Sequence, residues 1–128
     1  MATWKPPPPQ RRVVLVVDDE PDVLDYAVRV LREAGFYVVS ATDADRALAV
    51  LRRVAVDVVF TDIVLPGRLD GWQLAFAARR LNPRTKVLCT TGFAPVRDEA
   101  SVRSLGGFLS KPYRPEQLRA EIGRVLSA

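Results

Sequence analysis

The sequence predicts an α/β fold: one doubly wound, five-stranded parallel sheet flanked by five helices. Three observations point there. Short apolar runs rich in valine recur at Val13-Val14-Leu15-Val16-Val17, at Val56-Asp57-Val58-Val59-Phe60-Thr61-Asp62 and around Val87-Leu88-Cys89. Such runs read as strands buried on both faces, as in a parallel sheet. Between them lie segments whose apolar residues recur at three- and four-residue spacing, the pattern of helices with one buried face. Strand and helix patterns alternate rather than cluster, which is the order of a parallel sheet covered on both sides. With 128 residues and a 48% hydrophobic share, the chain can build one core without disulfide or metal staples.

Taken in order, residues 1–12 carry Pro6 to Pro9 and little to bury, so they read as a disordered leader or linker. A proline-rich ligand for a partner's aromatic groove is the other reading of that run. The folded domain then spans 13–128. Its first strand ends in Asp18-Asp19-Glu20, and Pro21 occupies a natural first helical position. Val23, Leu24, Ala27, Val28 and Leu31 share a helical face, and Gly35 stops that helix. The second strand covers 36–41. Thr42 or Asp43 caps a second helix carrying Ala44, Ala47, Leu48 and Leu51.

The third strand ends in Asp62. Pro66, Gly67 and Gly71 mark the next stretch as a loop, after which a third helix runs from about Trp72 to Leu81 and stops at Asn82-Pro83. The fourth strand begins at Lys86 and closes in Thr90-Thr91-Gly92. A short fourth helix is expected over 96–105. Gly106-Gly107 break it before a brief fifth strand, Phe108-Leu109-Ser110, with Lys111-Pro112 directly after. Pro115 opens the fifth helix, where Leu118, Ile122, Val125 and Leu126 share a face.

Composition removes several classes of function. The chain has no histidine, so Ser-His or Cys-His catalysis and histidine-ligated metals are excluded within it. Its one cysteine, Cys89, cannot form an internal disulfide and reads as an inert core thiol. No stretch is long and apolar enough for a membrane span and no signal pattern opens the chain, which makes a cytoplasmic protein the expectation. The net charge of +4 invites a nucleic-acid reading. Lys5, Arg11 and Arg12 stand in the first twelve residues without an acid, however, so the folded part is nearly neutral. No helix-turn-helix or zinc-finger pattern accompanies the charge, and neither nucleic acid nor a membrane is expected as a direct partner.

The strand ends carry the chemistry. In open α/β sheets ligands bind outside the carboxyl ends of the strands. Here those ends hold Asp18 and Asp19, Asp62, Thr91 and Lys111. Three carboxylates brought together repel unless a cation lies among them, and hard oxygen ligands favour Mg²⁺ or a similar ion. A lysine and a hydroxyl facing the same point add what phosphoryl transfer requires, and a carboxylate can serve as the nucleophile. Each residue also has a structural reading: the acidic pair suits a helix N-terminus, and Lys111-Pro112 suits a turn. No phosphate-binding glycine loop is present to hold a nucleotide.

Val16-Val17-Asp18-Asp19-Glu20-Pro21, Thr61-Asp62-Ile63-Val64-Leu65-Pro66, Asp70-Gly71, Thr91-Gly92-Phe93 and Lys111-Pro112-Tyr113 together resemble the response-regulator receiver domain of two-component signalling, over 13–127. The resemblance implies the flavodoxin-like strand order 2-1-3-4-5. It implies that Asp62 accepts a phosphoryl group from a histidine kinase or a histidine phosphotransfer protein. Asp18, Asp19, Asp62 and the backbone carbonyl of Val64 would hold Mg²⁺ or Mn²⁺, Thr91 and Lys111 would contact the phosphoryl oxygens, and Phe108 takes the switch-aromatic position. The domain would catalyse its own phosphorylation and slow dephosphorylation, as a single-domain regulator or as the receiver of a hybrid kinase. A downstream protein partner is implied, with homodimerisation through the face of the fourth helix, fifth strand and fifth helix as one arrangement.

Two departures accompany the resemblance. The loop from Pro66 to Gly71 is one residue longer than the commonest form, and the stretch from Thr91 to Lys111 is short. Two readings stand beside the switch. A non-phosphorylated pseudo-receiver would act only as an interaction module, and its signature would be loss of a site residue. A metal-dependent phosphatase of similar topology would want an acid two residues after the nucleophile, where this chain has Val64.

Overall fold

The structure, a computed structural model, describes residues 11–92 and 106–128. Five strands form one parallel sheet: β1 (Val13–Val17), β2 (Tyr37–Ala41), β3 (Val58–Asp62), β4 (Lys86–Thr91) and β5 (Gly106–Ser110). Their spatial order is β2-β1-β3-β4-β5, as expected. Among the described residues there are four helices rather than five: α1 (Pro21–Glu33), α2 (Ala44–Leu51), α3 (Gly71–Leu81) and α4 (Pro115–Ser127). The helix expected at 96–105 and the leader at 1–10 lie outside the described residues. The fifth helix of the sequence reading is therefore α4 here.

The apolar runs divide between the two faces of the sheet as the two-residue period of a strand requires. Leu15, Val17, Val59, Val87 and Cys89 point to the face covered by α2 and α3. Val14, Val16, Val58, Phe60 and Leu88 point to the face covered by α1 and α4, where Leu118, Ile122 and Val125 meet them. Every residue of β1 and β3 is buried. Two apolar layers thus fix the central strands from both sides, and the polar residues that follow those strands emerge at one edge.

Strand ends differ from the sequence expectation where a local hydrogen bond competes with the ladder. The second strand starts at Tyr37 rather than Phe36, because the Phe36 amide donates to the Leu31 carbonyl at 3.1 Å and closes the end of α1. Gly35, at φ +98°, makes that reversal without the Cβ penalty of an L-residue. The third strand starts at Val58 because Asp57 serves as a clamp. Its side chain accepts from the Val13 amide at 2.7 Å, and its carbonyl accepts from the Lys86 amide at 2.9 Å.

The larger correction concerns Gly106 and Gly107. Read from sequence as a break before the fifth strand, they are its first two residues, paired with Val87 and Leu88. A Cβ on Gly106 would collide with the Val87 backbone carbonyl, so glycine here permits close strand approach rather than a turn.

Candidate functional site

Asp62 is the last residue of β3 and Asp18 follows β1 directly, so the two central strands deliver both carboxylates to the same edge. Asp18 and Asp62 are buried, and Asp19 is exposed beside them. One oxygen from each of the three lies within 4.8 Å of the others. Lys111, immediately after β5, reaches across to this group. Its Nζ donates to Asp18 Oδ2 at 2.8 Å and to Asp62 Oδ2 at 2.7 Å. Sequence reasoning brought these four residues together, and the structure does the same.

The remaining carboxylate oxygens are held by backbone. Asp18 Oδ1 accepts from the Glu20 amide at 3.0 Å, in the turn that leads into α1. Asp62 Oδ1 accepts from the Val64 amide at 2.9 Å. Asp18 and Asp62 therefore each have one oxygen fixed by their own loop and one bonded to Lys111. Thr91, the last residue of β4, is buried, and its carbonyl accepts from the Lys111 amide at 3.1 Å. The 111–112 peptide bond is cis. Phe108 is half-buried on β5 opposite Cys89, packed against the cluster under α2 and α3. Val64 points outward, 54% exposed. Phe93 lies outside the described residues.

Among the described residues, charge at this site is not balanced by protein alone. Burial draws the Lys111 ammonium downward, but hydrogen bonds to Asp18 and Asp62 and their negative charge outweigh it, and its pKa is raised overall. One ammonium against three carboxylates leaves an excess of negative charge that one divalent cation would neutralise. All the donors are hard oxygens, so the set fits Mg²⁺ or Mn²⁺ and not a thiophilic metal.

Two features were not foreseen. The first is the seat of α3. Asp70 caps this helix, its carboxylate accepting from the Gln73 amide while Gln73 Oε1 accepts from the Asp70 amide, both at 2.9 Å. That box sets Gly71 directly against the end of β3. The Gly71 amide donates to the Ile63 carbonyl at 2.8 Å, and a Cβ at Gly71 would strike the Asp62 backbone carbonyl. The Asp70-Gly71 pair was visible in the sequence, but its contact with Asp62 depends on how α3 docks.

The second is an aromatic wall beside the carboxylates. Tyr113 meets Phe60 edge-on at 5.6 Å and Tyr26 of α1 at 5.9 Å between ring centroids. Its phenol pKa is raised, by burial first and then by the negative charge of Asp18, Tyr26 and Asp62. Val23, Tyr26, Gly92, Lys111, Pro112 and Tyr113 are among the residues lining an open groove of about 610 Å³. Nothing in the spacing of α1 singled out Tyr26, because its role follows from the helix's rotation against the last loop.

With this geometry in place, the comparisons with known proteins are decisive. The family profile of the response regulator receiver domain matches residues 14–123. The chain belongs to that family. It is 31% identical over 113 residues to the response regulator receiver protein CpdR of Brucella abortus, covering 87% of this chain and 93% of that protein. It is 32% identical over 112 residues to the nitrogen assimilation regulatory protein NtrX of Azorhizobium caulinodans, covering 85% of this chain and 25% of NtrX. The chain thus spans nearly all of one relative and only a quarter of the other. Among solved structures it superposes on the chemotaxis response regulator CheY4 of Vibrio cholerae with a TM-score of 0.81 and 28% identity, over 91% of this chain and 99% of that one. A CheY-like receiver domain protein from Methanospirillum hungatei gives 0.84 and 28%, over 92% and 95%. As a receiver domain, the chain is a component of two-component signalling, and Asp18, Asp19 and Asp62 form the acidic triad typical of a receiver metal site.

Proposed function

We propose that this receiver is a phosphorylation-controlled switch in which Asp62 takes a phosphoryl group from the phosphohistidine of a histidine kinase or a histidine phosphotransfer protein. The observation that carries the reading is the placement of the Asp62 carboxylate between the Val64 amide and the Lys111 ammonium, with Asp18 and Asp19 alongside. A carboxylate oxygen of Asp62 attacks phosphorus, forming the O–P bond. The P–N bond to the donor imidazole breaks, and the imidazole leaves with the electron pair. No histidine of this chain takes part, since it has none.

Lys111 neutralises a phosphoryl oxygen as charge develops, exchanging its bond to Asp62 for one to the new group. Thr91, buried at the same strand edge, donates its hydroxyl to another. Asp18, Asp19, Asp62 and the Val64 carbonyl would hold Mg²⁺ or Mn²⁺, which when bound screens the repulsion between carboxylates and phosphoryl oxygens. Tyr26, Tyr113 and Lys111 line one open groove, and a partner's helix laid there would bring its histidine toward Asp62. Phe108 is the aromatic that reports occupancy of the site to a downstream protein. These roles suit a domain at 13–128, in the cytoplasm, acting alone or within a hybrid kinase. Homodimerisation through the face of β5, α4 and the helix expected at 96–105 belongs to the same reading.

The exposed Val64 offers no polar group to orient an attacking water. The acyl phosphate is therefore expected to persist for many minutes in purified protein, followed by phosphate release; loss within seconds contradicts this. Beryllium fluoride, which mimics an aspartyl phosphate, tests the site itself. With Mg²⁺ it is expected to shift the amide resonances of Asp62, Val64, Thr91 and Lys111 in the wild type and not in Asp62→Asn. An unchanged wild-type spectrum overturns the assignment and favours an interaction module.

A further inference from the structure

A second surface lies away from the carboxylates, where α2 and α3 pack side by side. Phe76 and Leu81, on the outer side of α3, are 50% and 49% exposed. They line a groove of about 590 Å³ with Leu48 of α2 and Ala77, bordered by Arg52 and Arg80. A second, smaller groove shares Leu81 and Arg52 with the first and adds Arg53. The first groove is the apolar one; the second, more polar, adjoins it at Leu81 and Arg52 and extends the track toward Arg53. No acidic side chain lines either groove, and Arg52, Arg53 and Arg80 form no ion pair among the described residues.

We infer that this α2–α3 seam docks an amphipathic helix of a partner protein, one with apolar residues at three- and four-residue spacing flanked by Asp or Glu. The apolar floor matches the narrow stripe of such a helix. The exposed guanidiniums along the track would pair with its carboxylates, setting orientation and speeding encounter. A second copy of this chain is the poorer occupant, because a symmetric contact on the seam would set Arg52, Arg53 and Arg80 against their own equivalents. Nucleic acid is also the poorer one, since the centre of the surface is apolar and its cations number only a few. The seam stands apart from Asp62, so the inference does not depend on phosphorylation.

The test uses the full unphosphorylated chain and a designed helical peptide of about 18 residues, long enough to hold helix, with a leucine stripe flanked by glutamates. A control peptide carries lysine in place of each glutamate. The glutamate peptide is expected to shift amide resonances of residues 48–53 and 73–81, and to bind at least tenfold more tightly than the lysine peptide at low salt. Phe76→Ser should weaken it at least tenfold. Arg52→Glu with Arg80→Glu should reverse the preference, with well-dispersed spectra showing both variants folded. Equal binding of the two peptides, no binding, or shifts confined to the Tyr26–Tyr113 groove overturns the inference. So does a free-chain dimer that Phe76→Ser dissolves, or a single-stranded RNA that binds the seam more tightly than the glutamate peptide.

Discussion

Lys111 does two opposing things at the residue scale, and substitution separates them. Its ammonium stands between Asp18 and Asp62 at 2.8 and 2.7 Å, holding two buried carboxylates together. Replacing it by Met removes the one cation that, among the described residues, contacts the acidic triad. Mg²⁺ affinity is therefore expected to rise several-fold by calorimetric titration, while the rate of phosphoryl uptake at saturating Mg²⁺ falls by at least tenfold. Weaker Mg²⁺ binding in Lys111→Met would show that the lysine supports the ion rather than competing for its charge. Cys89 makes a contrasting case. Burial pushes its thiol from 9.0 up to about 12, which keeps it protonated and inert at neutral pH. An aromatic disulfide reagent at pH 8 is expected to leave it unmodified until denaturant is added. In the unfolded chain the thiol ionises near pH 9 while the native one does not, so the unfolded state binds fewer protons there. Stability should fall as pH rises from about 9 toward 12, and Cys89→Ala should lessen that slope.

Elements show what the sequence made legible and what it concealed. The central strands were readable because burial on both faces demands continuous apolar runs, and β1 and β3 have them. Pro21 and Pro115 marked helix starts, since proline costs no hydrogen bond in a first turn. The polar edge followed, because Asp18, Asp62, Thr91 and Lys111 sit at or just past a strand's carboxyl end whatever the side-chain details. Gly106 and Gly107 misled because a glycine pair signals a turn by composition, whereas here Gly106 answers the close approach of β4 and Gly107 lies under the Arg124 side chain. The register of β5 on β4 decides that, and no local pattern encodes it. The seat of α3 was hidden for the same reason, and it can be tested. Asp70→Ala removes a capping side chain and should cost about 1 kcal/mol in urea denaturation while leaving phosphoryl uptake within a few-fold of wild type. Gly71→Ala forces a methyl group against the Asp62 carbonyl. It should slow uptake by at least tenfold in protein that remains folded at low temperature. Equal effects of the two substitutions would deny Gly71 a role in positioning Asp62.

Across the whole molecule, the fold separates rigidity from chemistry. Two apolar layers hold the sheet, and the strand ends present Asp18, Asp62, Thr91 and Lys111 at one edge, with Asp19 in the turn beyond β1. The excess negative charge assembled there suits a divalent cation, and Tyr26 and Tyr113 line a groove beside it. On the outer side of the α2–α3 layer, Phe76 and the arginines offer a separate surface to another partner. The central claim is that the edge is a phosphoacceptor site with Asp62 as its nucleophile. The most direct measurement is the intact mass of the protein after incubation with a small-molecule phosphodonor and Mg²⁺, beside Asp62→Asn and a metal-free control. The expected result is a single added phosphoryl group in the wild type with Mg²⁺ and none in either control. A wild-type protein that stays folded and gains no mass, or an Asp62→Asn protein that gains the same adduct, would contradict it.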